Sequence, residues 1–137
     1  MRRRIGVFLL IYMAAIMALT GCGGGSPKIR SAEMVRSEAG EDEKVQSVEA
    51  YPADQEELLL YGKALHFGAE DSLTVRWIYA EDGEYIIHED GDHAGYVYEF
   101  YSRISNDGYP WPKGAYRVEI YVNDGDTPDT TVQFRVE

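Results

Sequence analysis

A chain of 137 residues with 24 acidic and 13 basic side chains, a formal net charge of −11, is long enough for one ordinary domain and too acidic for a nucleic-acid binder. Arg2, Arg3 and Arg4 fall in a segment that reads as a removed signal, so 10 of the 13 basic groups remain after position 21, against 24 acidic ones, a balance of −14. That balance argues against adhesion to anionic membrane by net charge alone. The single cysteine, Cys22, excludes a disulfide within the chain.

Met1 to Arg4 form a cationic start, and Ile5 to Ala18 is an apolar run of 14 residues. A stable span needs about 20, so the run has the size of a signal peptide. It ends in Leu19-Thr20-Gly21-Cys22. This stretch resembles the lipobox of bacterial lipoproteins, in which a branched apolar residue and two small ones precede the cysteine that receives lipid. The resemblance implies removal of residues 1–21, acylation of Cys22, and durable anchoring through its acyl chains. The implied location is extracytoplasmic, on the cell membrane. In a two-membrane bacterium it is the outer membrane, because Gly23 is not the Asp that resembles an inner-membrane retention signal.

Gly23-Gly24-Gly25-Ser26-Pro27 cannot build a packed element. Lys28 to Lys44 is charged, with Ile29, Met34 and Val35 as its sizeable apolar groups, and reads as spacer in preference to a short helix or a first edge strand. Residues 22–44 are therefore expected to be a lipidated, flexible tether with an r.m.s. span of roughly 25 Å.

From Val45 to Glu137 the hydrophobic period is two, the signature of strands with one buried face. Leu73, Val75, Trp77 and Tyr79 alternate with Thr74, Arg76 and Ile78; Tyr116, Val118, Ile120 and Val122 with Arg117, Glu119 and Tyr121; Val132, Phe134 and Val136 with Thr131, Gln133 and Arg135. Weaker strands are expected at Val45 to Tyr51, Leu58 to Phe67, Tyr85 to His88 and Tyr96 to Ile104. Turn signals separate them, among them Glu81-Asp82-Gly83-Glu84, Asp90-Gly91-Asp92, Asn106-Asp107-Gly108 and Asn123-Asp124-Gly125. Seven short strands over residues 45–137 predict a single all-β, antiparallel sandwich.

The same span resembles an immunoglobulin-like or fibronectin-type-III-like domain. Trp77 matches the buried core tryptophan of that architecture, and Tyr116, after Pro112-Lys113-Gly114-Ala115, resembles its corner tyrosine. The inter-sheet cysteine pair is absent; Val118 stands two residues after Tyr116, in the place of the second cysteine. The resemblance implies a fold and no chemistry.

Catalytic signatures are missing: none of the serines after the tether lies in Gly-x-Ser-x-Gly or Ser-x-x-Lys, and no His-Glu-x-x-His or phosphate-binding glycine loop occurs. In a sandwich, the loops at 68–72, 89–94 and 123–129 gather at one end. Together they carry Glu70, Asp71, Glu89, Asp90, Asp92, Asp124, Asp126 and Asp129. The Asp-Gly-Asp triplets make Asp90, Asp92, Asp124 and Asp126 candidate calcium ligands, because calcium takes six to eight oxygens from flexible loops. Asp-Gly is also ordinary turn chemistry. His88 and His93 bracket the first triplet and could add imidazole to a transition-metal site. No cofactor is required by any motif.

Aromatic residues are in excess, with ten tyrosines after position 21. Tyr101 and Tyr121 are expected to face outward, as is Tyr61, and Trp111, between Pro110 and Pro112, is expected to be exposed at the other end. Exposed aromatic groups are favoured binding anchors, so Trp111, Tyr101 and Tyr121 are the candidate partner-binding residues. The sequence thus predicts a lipid-anchored, non-catalytic binding or assembly module of the bacterial envelope, with an envelope protein or glycan as partner. The alternatives are a carbohydrate-binding module using exposed aromatics and a small metal-dependent envelope enzyme.

Overall fold

A computed structural model describes residues 25–36 and 46–137; Cys22 and the expected signal lie outside the described residues. The strands are β1 (Lys28–Arg36), β2 (Gln46–Ser47), β3 (Ala50–Tyr51), β4 (Glu57–Leu65), β5 (Ser72–Tyr79), β6 (Tyr85–Ala94), β7 (Glu99–Ser105), β8 (Gly114–Val122) and β9 (Thr130–Val136). One sheet has the order β2-β1-β4-β7 and the other β3-β9-β8-β5-β6. Every pairing is antiparallel except that of β3 with β9.

The alternation read from the sequence is what fills the space between the sheets. Phe100, Ser102 and Ile104 of β7 are buried while Glu99, Tyr101, Arg103 and Ser105 are exposed. Opposite them, Leu73, Val75 and Trp77 of β5, Tyr116, Val118 and Ile120 of β8, and Phe134 and Val136 of β9 join one core. Trp77 is fully buried, and its Nε1 donates across the sandwich to Ser102 Oγ at 2.9 Å. Val118 is also fully buried, so apolar contact fills the place where a crosslink would stand. The Tyr116 hydroxyl donates to Pro112 O at 2.5 Å, closing the corner as the resemblance implies.

Four expectations need correction. Lys28 to Arg36, read as spacer, is a strand paired along its length with β4. Its apolar residues Ile29, Met34 and Val35 are all buried, but a bulge puts Arg30 between Ile29, opposite Ala64, and Ser31, opposite Lys63. The extra residue breaks the period-two phase, which is why the strand did not read as one. Next, Val45 to Tyr51 is not one strand: β2 pairs with β1 and β3 with β9, so the chain crosses between sheets.

Asp90-Gly91-Asp92 is not a turn. It lies inside β6, where Val75 faces Asp90 and Leu73 faces His93, leaving one more residue on β6 than on β5. Finally, the strand expected from Tyr96 begins at Glu99. The true turns behave as their sequences demand: Asp107 and Gly108 both take positive φ, as do Asn123 and Asp124, and each turn closes with an i to i+3 hydrogen bond.

β1 starts, β4 ends, β5 starts, β6 ends and β7 starts at one end of the sandwich, called here the upper end. It carries the loops at 66–71, 95–98 and 123–129. The lower end carries the loops at 52–56, 80–84 and 106–113.

Candidate functional site

Two acidic groups of the upper end, Asp71 and Asp129, act as clasps. The Asp71 carboxylate accepts from Gly68 N at 2.7 Å and from Asn123 Nδ2 at 2.8 Å, and these donors hold its pKa below the ordinary carboxylate value. Asn123 Oδ1 in turn accepts from Ser72 N at 2.8 Å. Asp129 Oδ2 accepts from Ile29 N at 2.9 Å, which ties the first strand to the β8–β9 loop.

The expected calcium site is not assembled. Asp90 sits within β6 beside His93, Oδ2 to Nε2 3.1 Å, and the His93 ring lies edge-on to Phe100 at 5.8 Å. Asp124 and Asp126 belong to the β8–β9 turn, and Asp92 to the bulge of β6. Among the described residues no group of three His, Cys, Asp or Glu could hold a metal ion. The cause is the extension of β6: the triplet that should have been a loop is tied into a ladder.

The three aromatic candidates occupy three separate surfaces. Tyr121, on the outer face of the β5–β8–β9 sheet, lies under the Arg76 guanidinium, 4.7 Å from the ring centroid, and its hydroxyl donates to Glu119 Oε1 at 2.9 Å. Arg117 bridges the same Glu119 at 3.2 Å and Glu84 at 2.8 Å. Tyr121 is therefore locked into a charged ladder; burial, then Glu119, raises its pKa. Tyr101, on the outer face of the other sheet, is 42% exposed, and its ring centroid lies 4.9 Å from that of Tyr61. The Tyr61 hydroxyl donates to Glu99 Oε1 at 2.7 Å, and that bond leads the causes that push its pKa up to about 12.

Trp111 is at the lower end but is not freely exposed. Its backbone N donates to Ala53 O at 2.8 Å, its Nε1 to Gln55 O at 2.7 Å, and its ring packs against the core. A tryptophan flanked by prolines has no ladder to join, and here its indole closes the sandwich instead. Its remaining surface lines a cleft of about 410 Å³ between the edges of β6 and β7, with Ile87, His88, Arg103, Ile104, Ser105 and Asp107. Tyr85 and Ile86, both 58% exposed, and Ile87, 41% exposed, begin the same edge of β6. Tyr109, 76% exposed, stands in the loop that leads from β7 to Trp111.

β5 and β6 fall out of step between Trp77 opposite His88 and Ile78 opposite Ile86, so Ile87 is the extra residue there. Three consecutive apolar residues at a strand edge were the available signal for this surface; strand parity could not place them, because the bulge removes the parity. Tyr96 and Tyr98, 77% and 74% exposed, lie ahead of β7 because the strand starts later than the sequence suggests.

No family model and no curated protein matches this chain. Solved structures do. An immunoglobulin-like protein from Pseudomonas aeruginosa superposes with a TM-score of 0.64 at 14% identity, over 83% of this chain and 98% of that one. The fold is immunoglobulin-like. A CARDB domain from Pyrococcus furiosus, solved in complex with di-metal ions, follows at a TM-score of 0.47 and 17% identity, covering 81% of this chain and 92% of that one. A superoxide reductase (neelaredoxin) from Ignicoccus hospitalis has a TM-score of 0.45 at 16% identity, over 82% and 81% of the two chains. Within this immunoglobulin-like domain the lower cleft and the Tyr61–Tyr101 face each bring exposed apolar or aromatic area against polar groups.

Proposed function

We propose that the protein is a lipid-anchored, non-catalytic binding module of the bacterial envelope, attached through Cys22, that takes a protein partner in the lower cleft. The cleft carries this reading: Trp111 is fixed by two hydrogen bonds, Ile104 forms an apolar floor, and exposed Tyr85, Ile86, Ile87 and Tyr109 lie on the elements around it. Aromatic and aliphatic groups held by their own scaffold lose little entropy on binding, which makes them effective anchors. The charge of −14 repels acidic partners, so basic partner groups belong at the rim.

The test is site-specific photo-crosslinking from Ile87 in the anchored protein, paired with Ile86→Ser/Ile87→Ser. A discrete adduct is expected, and the double substitution should weaken capture of the identified partner at least tenfold, about 1.4 kcal/mol, with an unchanged melting temperature. Adducts from Tyr101 and none from Ile87 would move the site to the other face. A glycan-binding reading is favoured by one observation, the Tyr61–Tyr101 ring pair with the Glu99 carboxylate beside it. Loss of glycan retention on Tyr101→Ala, with Ile87 variants unaffected, would select it.

A further inference from the structure

The strand status of Lys28 to Arg36 shortens the distance between anchor and domain to almost nothing. Gly25 already touches the sandwich: a side chain added there would stand 2.7 Å from Cδ2 of His66, so its backbone lies against that imidazole. From Cys22 to Gly25 the chain can reach at most roughly 11 Å. Ile29 is then held by Asp129, and Lys28 pairs opposite Leu65. An acylated Cys22 therefore keeps Gly25 within roughly 11 Å of the acylated residue, and residues 28–36, being strand, add no tether between anchor and domain.

What that end presents on the β1–β4–β7 side suits a lipid interface. Tyr96 and Tyr98 are 77% and 74% exposed, and both lie in the segment that leads into β7. That segment is fastened to the upper end by Gly95 N to Asp71 O at 2.8 Å and by Ala64 N to Tyr98 O at 3.0 Å. Tyr98 shares a cavity of about 300 Å³ with Arg30, Lys63, Leu65 and Tyr61. Arg30 and Lys63 are exposed and form no ion pair among the described residues, two free cations on a strongly acidic chain. Tyrosine partitions to the membrane interface because its ring is apolar and its hydroxyl stays wet, while Lys and Arg reach the headgroups from beside it.

One carboxylate, Glu99, lines the same cavity, where its Oε1 accepts from the Tyr61 hydroxyl at 2.7 Å. Asp124 and Asp126 are exposed, but they belong to the β8–β9 loop of the other sheet. Tilting the sandwich onto the outer face of its β1–β4–β7 sheet brings the tyrosines and cations down and lifts Asp124 and Asp126 into water.

We infer that the protein stands end-on at its membrane, tilted onto a contact surface made of Tyr96, Tyr98, Arg30 and Lys63, whose ligand is the phospholipid headgroup layer around the acyl anchor. The inference rests on the proposed acylation of Cys22. It leaves the lower cleft as the end that faces outward.

The experiment uses the mature acylated protein in phosphatidylethanolamine–phosphatidylglycerol vesicles. Acylation blocks the Cys22 thiol, so Ala69→Cys at the upper end or Asp82→Cys at the lower end supplies a single site for a fluorophore. Lipid-borne quencher should quench the Ala69 label several-fold more than the Asp82 label, and Tyr96→Ser/Tyr98→Ser should remove most of that difference while the protein still co-sediments with the vesicles. Equal quenching at both ends, or an upper-end signal indifferent to the tyrosine pair, overturns the contact surface. Failure to co-sediment would instead overturn the acylation reading on which it stands.

Discussion

Trp77 and Ser102 offer a decisive test of how a sandwich without an inter-sheet disulfide is held together. Trp77→Ala removes a fully buried indole edge-on to Phe134 and should cost about 3–5 kcal/mol. At a urea m-value of about 2 kcal/mol/M, that moves the midpoint down by about 2 M. The hydrogen bond between the sheets is isolated by a finer pair. Trp77→Phe leaves the Ser102 hydroxyl, 2% exposed, without its partner, and Ser102→Ala leaves the indole N–H without an acceptor. Each orphaned buried group should cost about 1–3 kcal/mol beyond lost packing. The double substitution orphans neither, so it should recover about 1–2 kcal/mol relative to the sum of the singles. Urea titrations of the four proteins in parallel give the cycle. Additive single and double effects would refute the claim that this bond, rather than shape alone, registers one sheet on the other.

Further outcomes follow from the same geometry. Tyr116→Phe, which removes the bond to Pro112 O, should lower stability by about 1 kcal/mol in urea titration and leave the circular dichroism spectrum unchanged. Gly62→Ala should destabilise by about 1–3 kcal/mol or more, because the added Cβ would meet the Phe100 ring, and Phe100→Leu should partly restore the melting temperature. Burial is the leading cause that pushes both Tyr51 and Tyr116 up to about 12, so their neutral forms contribute stability that is complete below pH 10 and is lost as pH rises toward 12. Urea midpoints across that window should fall steeply, and less steeply in Tyr51→Phe/Tyr116→Phe. The depressed pKa of Asp71 works in the opposite direction: its contribution is present above the ordinary carboxylate value of 3.8 and is lost as pH falls below it, so Asp71→Asn should flatten the acid limb of the stability profile. Cys22→Ala should abolish lipid labelling and leave either precursor or soluble protein in fractionated cells; a substituted protein that is cleaved and remains on the membrane would refute the anchor.

The sequence was most legible where a strand keeps strict alternation against a filled core. Leu73 to Tyr79, Tyr116 to Val122 and Val132 to Val136 are all strands with the expected faces inward, and Trp77 and Tyr116 stand where the resemblance put them. Legibility failed at bulges. One extra residue at Arg30 hid β1, one at Ile87 hid the exposed edge of β6, and a third turned Asp90-Gly91-Asp92 from a turn into ladder. The candidate site suffered most, because a binding surface is defined by which side chains the core does not use. Trp111 was placed at the correct end with the wrong exposure, since the Gln55 carbonyl that captures its Nε1 lies 56 residues away in sequence. Tyr101 was placed outward correctly, but its separation from Tyr121 by the thickness of the sandwich follows from sheet order, which strand parity does not contain.

The bulges of β6 also limit what its exposed apolar edge can pair with. Tyr85, Ile86 and Ile87 would offer a flat edge strand an opportunity to pair with a second copy. The extra residues at Ile87 and in the Gly91-Asp92 step break the register at both halves of the strand, so a long continuous ladder with another β6 cannot form. Glu84 precedes the apolar residues and Glu89 and Asp90 follow them, so two such edges brought together would also meet like charge. What survives is side-chain area without a pairable backbone. That combination suits the proposed recognition of one partner by pockets and anchors better than it suits indiscriminate strand addition.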